Sequence, residues 1–194
     1  DVRKKSPLQK PRAAKESYTP EPTLVMEIYE HILEVICKVA RMMEHSPHMF
    51  KELPEEDLRT HFLFQLNGHY EAGVSGETFN GEGKTDILVR AEGGGNVFVA
   101  ECKYWHGEKV FSGTIDQLLG YVTWRDTKTS ILVFCKNKDC SAVQEQLAPI
   151  VRKHPNFKRD VEFESDMGYR FILVNKNDVA KEFYLTVLFF CVPA

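Results

Sequence analysis

The stretch Gly83-Lys84-Thr85-Asp86-Ile87-Leu88-Val89-Arg90, continued after Ala91 to Asn96 by Val97-Phe98-Val99-Ala100-Glu101-Cys102-Lys103, decides the reading of this chain. Two apolar runs flank the connector Glu92-Gly93-Gly94-Gly95-Asn96, the pattern of two strands joined as a hairpin. An acid opens the first strand and an acid-x-Lys triplet closes the second. Antiparallel pairing therefore brings Asp86 and Glu101 to the same end of the sheet. Glu101 and Lys103 are two residues apart and share a face, whereas Cys102 points the other way. Two carboxylates and a lysine converging at a sheet edge are costly unless something binds between them. A hard divalent cation fits, because Mg²⁺ takes one or two carboxylates and completes its shell with water and phosphate oxygens.

Around this hairpin the chain divides into recognisable segments. Residues 1–22 are basic and Pro-rich and read as a flexible arm or linker, with a phosphate-binding tail as the functional alternative. Residues 23–194 read as a single domain. Thr23 to His45 has apolar residues at three- and four-residue spacing and ends against Pro47, which predicts a long helix. Leu53-Pro54-Glu55-Glu56-Asp57 opens a second helix, with Asn67-Gly68 as its expected stop. On that helix Glu55 falls on the face of Leu58, Phe62 and Leu66, and Glu56 falls toward its edge. Arg59 is placed to pair with either carboxylate or to meet phosphate. His69 to Phe79 is expected as the first strand. Thr114 to Trp124 is expected as a helix after a loop from Tyr104 to Gly113, Ser130 to Phe134 as a buried central strand, and Ser141 to His154 as a further helix. Phe157 to Phe163, Tyr169 to Val174 and Phe183 to Val192 read as additional strands, the last two forming an antiparallel extension.

Asp86, the Glu101-Cys102-Lys103 triplet 15 residues on, and Gln117-x-x-x-Tyr121 on the following helix resemble the signature of the PD-(D/E)xK nuclease superfamily. The last element is that of its RecB-like members. The resemblance spans roughly Glu55 to Lys136. It implies an α/β fold with a restriction-endonuclease-like αβββαβ core, a mixed central sheet flanked by helices, and here an N-terminal helix and C-terminal strands added. It implies a metal-dependent nuclease, with DNA the favoured substrate and Mg²⁺ (or Mn²⁺) the cofactor. Asp86 and Glu101 would hold the metal, joined by the Cys102 carbonyl and by Glu55 or Glu56. Lys103 would act on the attacking water, and Gln117 would orient substrate or metal-bound water. Lys84, Tyr121, Trp105, Arg59 and Lys109 are the candidate nucleic-acid contacts. Each has a plainer role open to it: Lys84 as a solvated side chain, Trp105 as packing under the helix, Tyr121 as core edge. Near two carboxylates and without metal, Lys103 is expected to stay protonated.

Composition narrows the setting. Hydrophobic content of 43% and charged content of 27% are those of an ordinary globular protein. The net charge of −3 excludes a global basic field, so a nuclease of this charge must gather its cations locally. The five cysteines lack any Cys-x-x-Cys spacing, and most lie in apolar segments and read as buried free thiols of a cytoplasmic protein. Leu185 to Val192 is apolar but too short to span a membrane. A Cys102–His106 hydrolase or zinc site is set aside, because Cys102 faces away from the acids and no second ligand pair accompanies it. The start at Asp1 suggests a fragment with an upstream domain. Dimerisation through the long first helix is a further expectation. The alternative to catalysis is an inactive nuclease-fold module that binds nucleic acid or protein.

Overall fold

The computed structural model describes residues 26–70, 74–75, 78–80, 83–90, 96–123 and 126–192. The N-terminal arm, the glycine connector and the residues between these spans lie outside it. The elements run α1 (Met26–His45), α2 (Pro47–Phe50), α3 (Glu55–His69), β1 (Val74–Ser75), β2 (Thr78–Asn80), β3 (Gly83–Thr85), β4 (Ile87–Arg90), β5 (Asn96–Tyr104), α4 (Glu108–Tyr121), β6 (Lys128–Cys135), α5 (Cys140–Lys153), β7 (Phe157–Val161), β8 (Gly168–Val174) and β9 (Glu182–Cys191). The main sheet has the order β1-β4-β5-β6-β9-β8-β7, and β2 and β3 form a separate ribbon. β5, β6 and β9 are parallel; every other neighbouring pair is antiparallel. This is an α/β protein with an open mixed sheet.

Each layer follows from residue spacing. All eight residues of β6 are buried, as in a strand covered on both faces. Its alternate residues serve opposite layers: Leu132 and Phe134 pack with α1 and α3, whereas Ile131, Val133 and Cys135 pack with α4 and α5. α1 meets the sheet with Tyr29, Ile32, Leu33, Ile36, Val39, Ala40 and Met43, a stripe of three- and four-residue steps. α3 adds Leu58, Phe62 and Leu66. At the centre, Phe134 lies 5.9 Å from the Phe62 and Tyr104 rings and 5.6 Å from Phe190. Phe134→Ala is expected to cost about 3–5 kcal/mol in denaturant unfolding, because the ring is fully buried and four elements meet on it. A loss below about 1 kcal/mol would mean that the site collapses freely, against the packing seen.

Four expectations are corrected. His69 to Phe79 is not one strand. Helix α3 passes through Asn67-Gly68, with Asn67 Nδ2 donating to Leu63 O, and stops only at Tyr70, whose N–H still reaches Leu66 O. Tyr70 is buried there, its hydroxyl 2.5 Å from His31 Nδ1. The rest of that stretch gives β1, paired with β4, and β2, paired with β3. Second, α4 begins at Glu108, not Thr114. Gly107 takes φ 97°, open to glycine, and Phe111 N–H closes the first turn on Gly107 O. Third, α5 starts at Cys140 under the Asp139 side chain, which accepts from Ala142 N–H. Fourth, Cys140 and Cys191 are joined as a disulfide, with Cα atoms 6.0 Å apart; only Cys37, Cys102 and Cys135 are free. These partners are 51 residues apart, and it is the β6–β9 pairing that places the end of β9 beside the start of α5. Among the described residues no helix is long and apolar enough to cross a membrane.

Candidate active site

The β4–β5 register pairs Ile87 with Ala100 and so sets Asp86 beside Glu101. The Asp86 N–H donates to Glu101 Oε1 at 3.4 Å, and the Cys102 N–H donates to Asp86 Oδ2 at 2.9 Å. Arg59, one turn into α3, donates from Nη1 to Asp86 Oδ1 at 2.8 Å. Both Asp86 oxygens are thereby held. β4 pairs with β5 only as far as Ala100, so Lys103 lies past the strand start and reaches α3 instead. Its Nζ donates to Glu55 Oε2 at 2.9 Å, and the Tyr104 N–H donates to Glu55 Oε1 at 2.8 Å. Glu55 is the first residue of α3, where the helix dipole favours a carboxylate. From the other layer, α4 sends Gln117, whose Nε2 donates to Glu101 Oε2 at 3.3 Å and to the Tyr121 hydroxyl at 2.6 Å. The i, i+4 spacing of these two residues is what lets them meet.

The electrostatics are uneven. The ion pairs Arg59–Asp86 and Lys103–Glu55 each match a cation to a carboxylate. Among the described residues Glu101 joins no such pair. It is 2% exposed. Burial first, and then the Asp86 charge, push its carboxyl up to about 9, so that near neutral pH it carries a proton. Burial alone would lower the Lys103 amine, but the Glu55 hydrogen bond and charge, backed by Asp86 and Glu101, outweigh it and raise it. The Cys102 thiol is buried in the α1–α3 layer and pushed well above the usual thiol range, first by burial and then by the two acids, so it is no nucleophile.

A divalent cation suits this donor set. Two cations face three carboxyl groups, and the group left over is a buried acid beside a held carboxylate. Among the described residues no group of three or more His, Cys, Asp or Glu side chains forms a metal cage. A cation held by Asp86 and Glu101 alone would draw most of its shell from water.

The remaining candidates divide clearly. Glu55 enters the cluster, whereas Glu56 is exposed on the next position of α3. Trp105 is half-buried, its ring 6.1 Å from Phe111, and thus packs under α4. Lys109 is exposed in the first helical turn of α4, not in a loop, and takes part in none of these hydrogen bonds. The Lys84 side chain lies outside the described residues. Two participants had no role in the sequence reading. Tyr104 donates from its hydroxyl to Leu53 O at 2.7 Å, tying β5 to the entry of α3. Lys136 lies over the Tyr104 ring, 4.0 Å from its centroid. The signal for Lys136 was its position one residue past β6, at the same sheet end as Lys103. Comparison of the chain with family models, curated proteins and solved structures finds no match.

Proposed function

We propose that this protein is a divalent-metal-dependent nuclease with a restriction-endonuclease-like core of the PD-(D/E)xK type, hydrolysing phosphodiester bonds of DNA. One observation carries the reading. Asp86, Glu101 and Lys103 converge at one sheet end with Glu55 from the preceding helix and Gln117 and Tyr121 from the following one. Asp86, Glu101 and the Cys102 carbonyl are the residues that would hold Mg²⁺ or Mn²⁺. Bound there, the ion supplies Lewis-acid polarisation of a phosphate oxygen and a water of lowered pKa.

The chain's own groups do the rest. Arg59 fixes the Asp86 carboxylate through one oxygen and the Cys102 N–H through the other. Glu55 holds the Lys103 ammonium at the mouth of the site, where it donates to charge developing on a phosphate oxygen. Gln117 bridges Glu101 and Tyr121 and so orients the acceptor side of the pair. Tyr121 and Lys136 flank the site as backbone contacts.

The closed Arg59–Asp86 and Lys103–Glu55 pairs also favour a second reading, an ion-pair network in a non-catalytic binding module. A single panel separates the two. Supercoiled plasmid, linear duplex, single-stranded DNA and RNA are incubated with Mg²⁺, Mn²⁺ or EDTA. The nuclease reading expects metal-dependent cutting of DNA, reduced at least 100-fold in Asp86→Asn. Cutting that survives in Asp86→Asn removes this site from the chemistry. No cutting, together with no metal binding by calorimetry, leaves the ion-pair network.

A further inference from the structure

Lys128 opens β6 and brings a buried amine that, among the described residues, no carboxylate pairs with. The residue is 9% exposed. Its Nζ rests over the Tyr184 ring, 4.2 Å from the centroid. The nearby acids are already engaged. Glu30 grips Arg170 through both oxygens, at 2.5 and 2.9 Å. Glu182 pairs with Lys158 at 2.5 Å and Arg159 at 2.7 Å. The neighbourhood therefore sets four cations (Lys128, Lys158, Arg159, Arg170) against two carboxylates. A cavity of about 220 Å³ opens beside these groups, lined by Thr127, Lys128, Arg159, Glu182 and Tyr184 among others, so that its own lining sets Lys128 and Arg159 against Glu182. Buried ammonium groups are normally matched by an anion. The volume falls below the roughly 300–1,000 Å³ of sites for drug-sized ligands, so the anion is small.

We infer that this cavity binds a phosphate-bearing anion, seated between the Lys128 ammonium and the Arg159 guanidinium. Phosphate matches the positive surplus of the lining and the planar fork of arginine. Burial first, and then the Arg170 charge, push the Lys128 amine down to about 8 against the opposing charge of Glu30; a bound anion would add to that opposition. The inference does not rest on the nuclease reading. Lys128 stands five residues before Val133, the β6 partner of Lys103, or about 16 Å along the strand. The phosphate has two sources, a free nucleotide or the end of a nucleic-acid strand.

The test uses the Asp86→Asn chain in EDTA, so that the carboxylate site takes no part. Calorimetry is run with inorganic phosphate, a 5′-mononucleotide, and a short oligonucleotide with and without its 5′-phosphate. Saturable binding of one anion per chain, weakened at least tenfold by Lys128→Met, is the expected result. Methionine keeps the stem and its Tyr184 contact, and circular dichroism checks that this variant folds. Binding of the mononucleotide assigns a free nucleotide; binding of the phosphorylated oligonucleotide alone assigns a strand end. Saturating phosphate should also raise the Lys128 pKa by at least one unit, read from ¹³C-methylated amines by NMR. No saturable binding of any probe, or equal binding in Lys128→Met, overturns the assignment, whatever the cleavage panel shows.

Discussion

On the nuclease reading, Lys103→Ala is expected to lower metal-dependent cleavage about 1,000-fold while leaving the fold and metal affinity close to wild type. The size follows from the amine's place. It is the one cation of the cluster that is not tied to a metal-side carboxylate: Arg59 holds Asp86, whereas Lys103 holds Glu55, which the Tyr104 N–H also supports. Removing Lys103 therefore leaves Glu55 with a donor and breaks none of the hydrogen bonds made by Asp86 and Glu101. Its side chain is 31% exposed, so the lost ion pair should cost at most about 1 kcal/mol of stability. Lys103→Arg separates charge from shape. The guanidinium keeps the Glu55 pair but delivers a planar fork in place of a compact point charge, and most of the activity should stay lost. Retention of activity within tenfold of wild type by Lys103→Ala would remove the residue from the chemistry. Loss of metal binding in the same variant would recast it as a positioning residue.

How much of this was legible beforehand depended on range. The hairpin was, because Asp86 and Glu101 each border an apolar run and period-two alternation fixes their faces. The Gln117–Tyr121 contact was, because i, i+4 geometry is local. Which glutamate enters was not: Glu55 and Glu56 differ by one residue on α3, and only the docking of that helix on β5 separates them. The α3 terminus misled because Asn67-Gly68 is a strong local stop, overridden by burial of Tyr70 one turn of chain later. The start of α4 was hidden for the opposite reason, since nothing in Trp105-His106-Gly107 marks a helix until the positive φ of Gly107 is seen. The disulfide was out of reach, for its two cysteines are brought together by strand order alone. The solitary charge of Lys128 likewise appears only when Glu30 and Glu182 are seen to be engaged elsewhere.

Glu101→Gln is expected to make the metal-free protein more stable and, on the nuclease reading, to abolish cleavage. The native carboxyl sits near 9, far above its ordinary value of 4.5, chiefly through burial and then through the Asp86 charge. An acid whose pKa is raised on folding binds its proton more tightly in the native state. Its contribution is fully present below about pH 4.5 and declines as pH rises from there towards 9. At pH 7 the penalty is on the order of 3 kcal/mol. Glutamine copies the protonated form, with an oxygen for the Asp86 N–H and no charge to bury, so its stability should lack this decline. The measurable quantity is the difference in unfolding free energy between the two proteins, near zero at pH 4.5 and growing to pH 8.5; other titrating groups cancel in it. Mg²⁺ should narrow the gap at pH 8, because the ion takes the place of the proton on wild type and finds only the Asp86 carboxylate in the variant. A difference that stays flat across this range would mean that Glu101 is solvated in solution. A gap that opens with pH but ignores Mg²⁺ would keep the buried acid and deny it the metal. The nuclease reading needs both halves: a charge the fold resists carrying alone, and an ion that relieves it, so that the same side chain lowers stability and sustains cleavage.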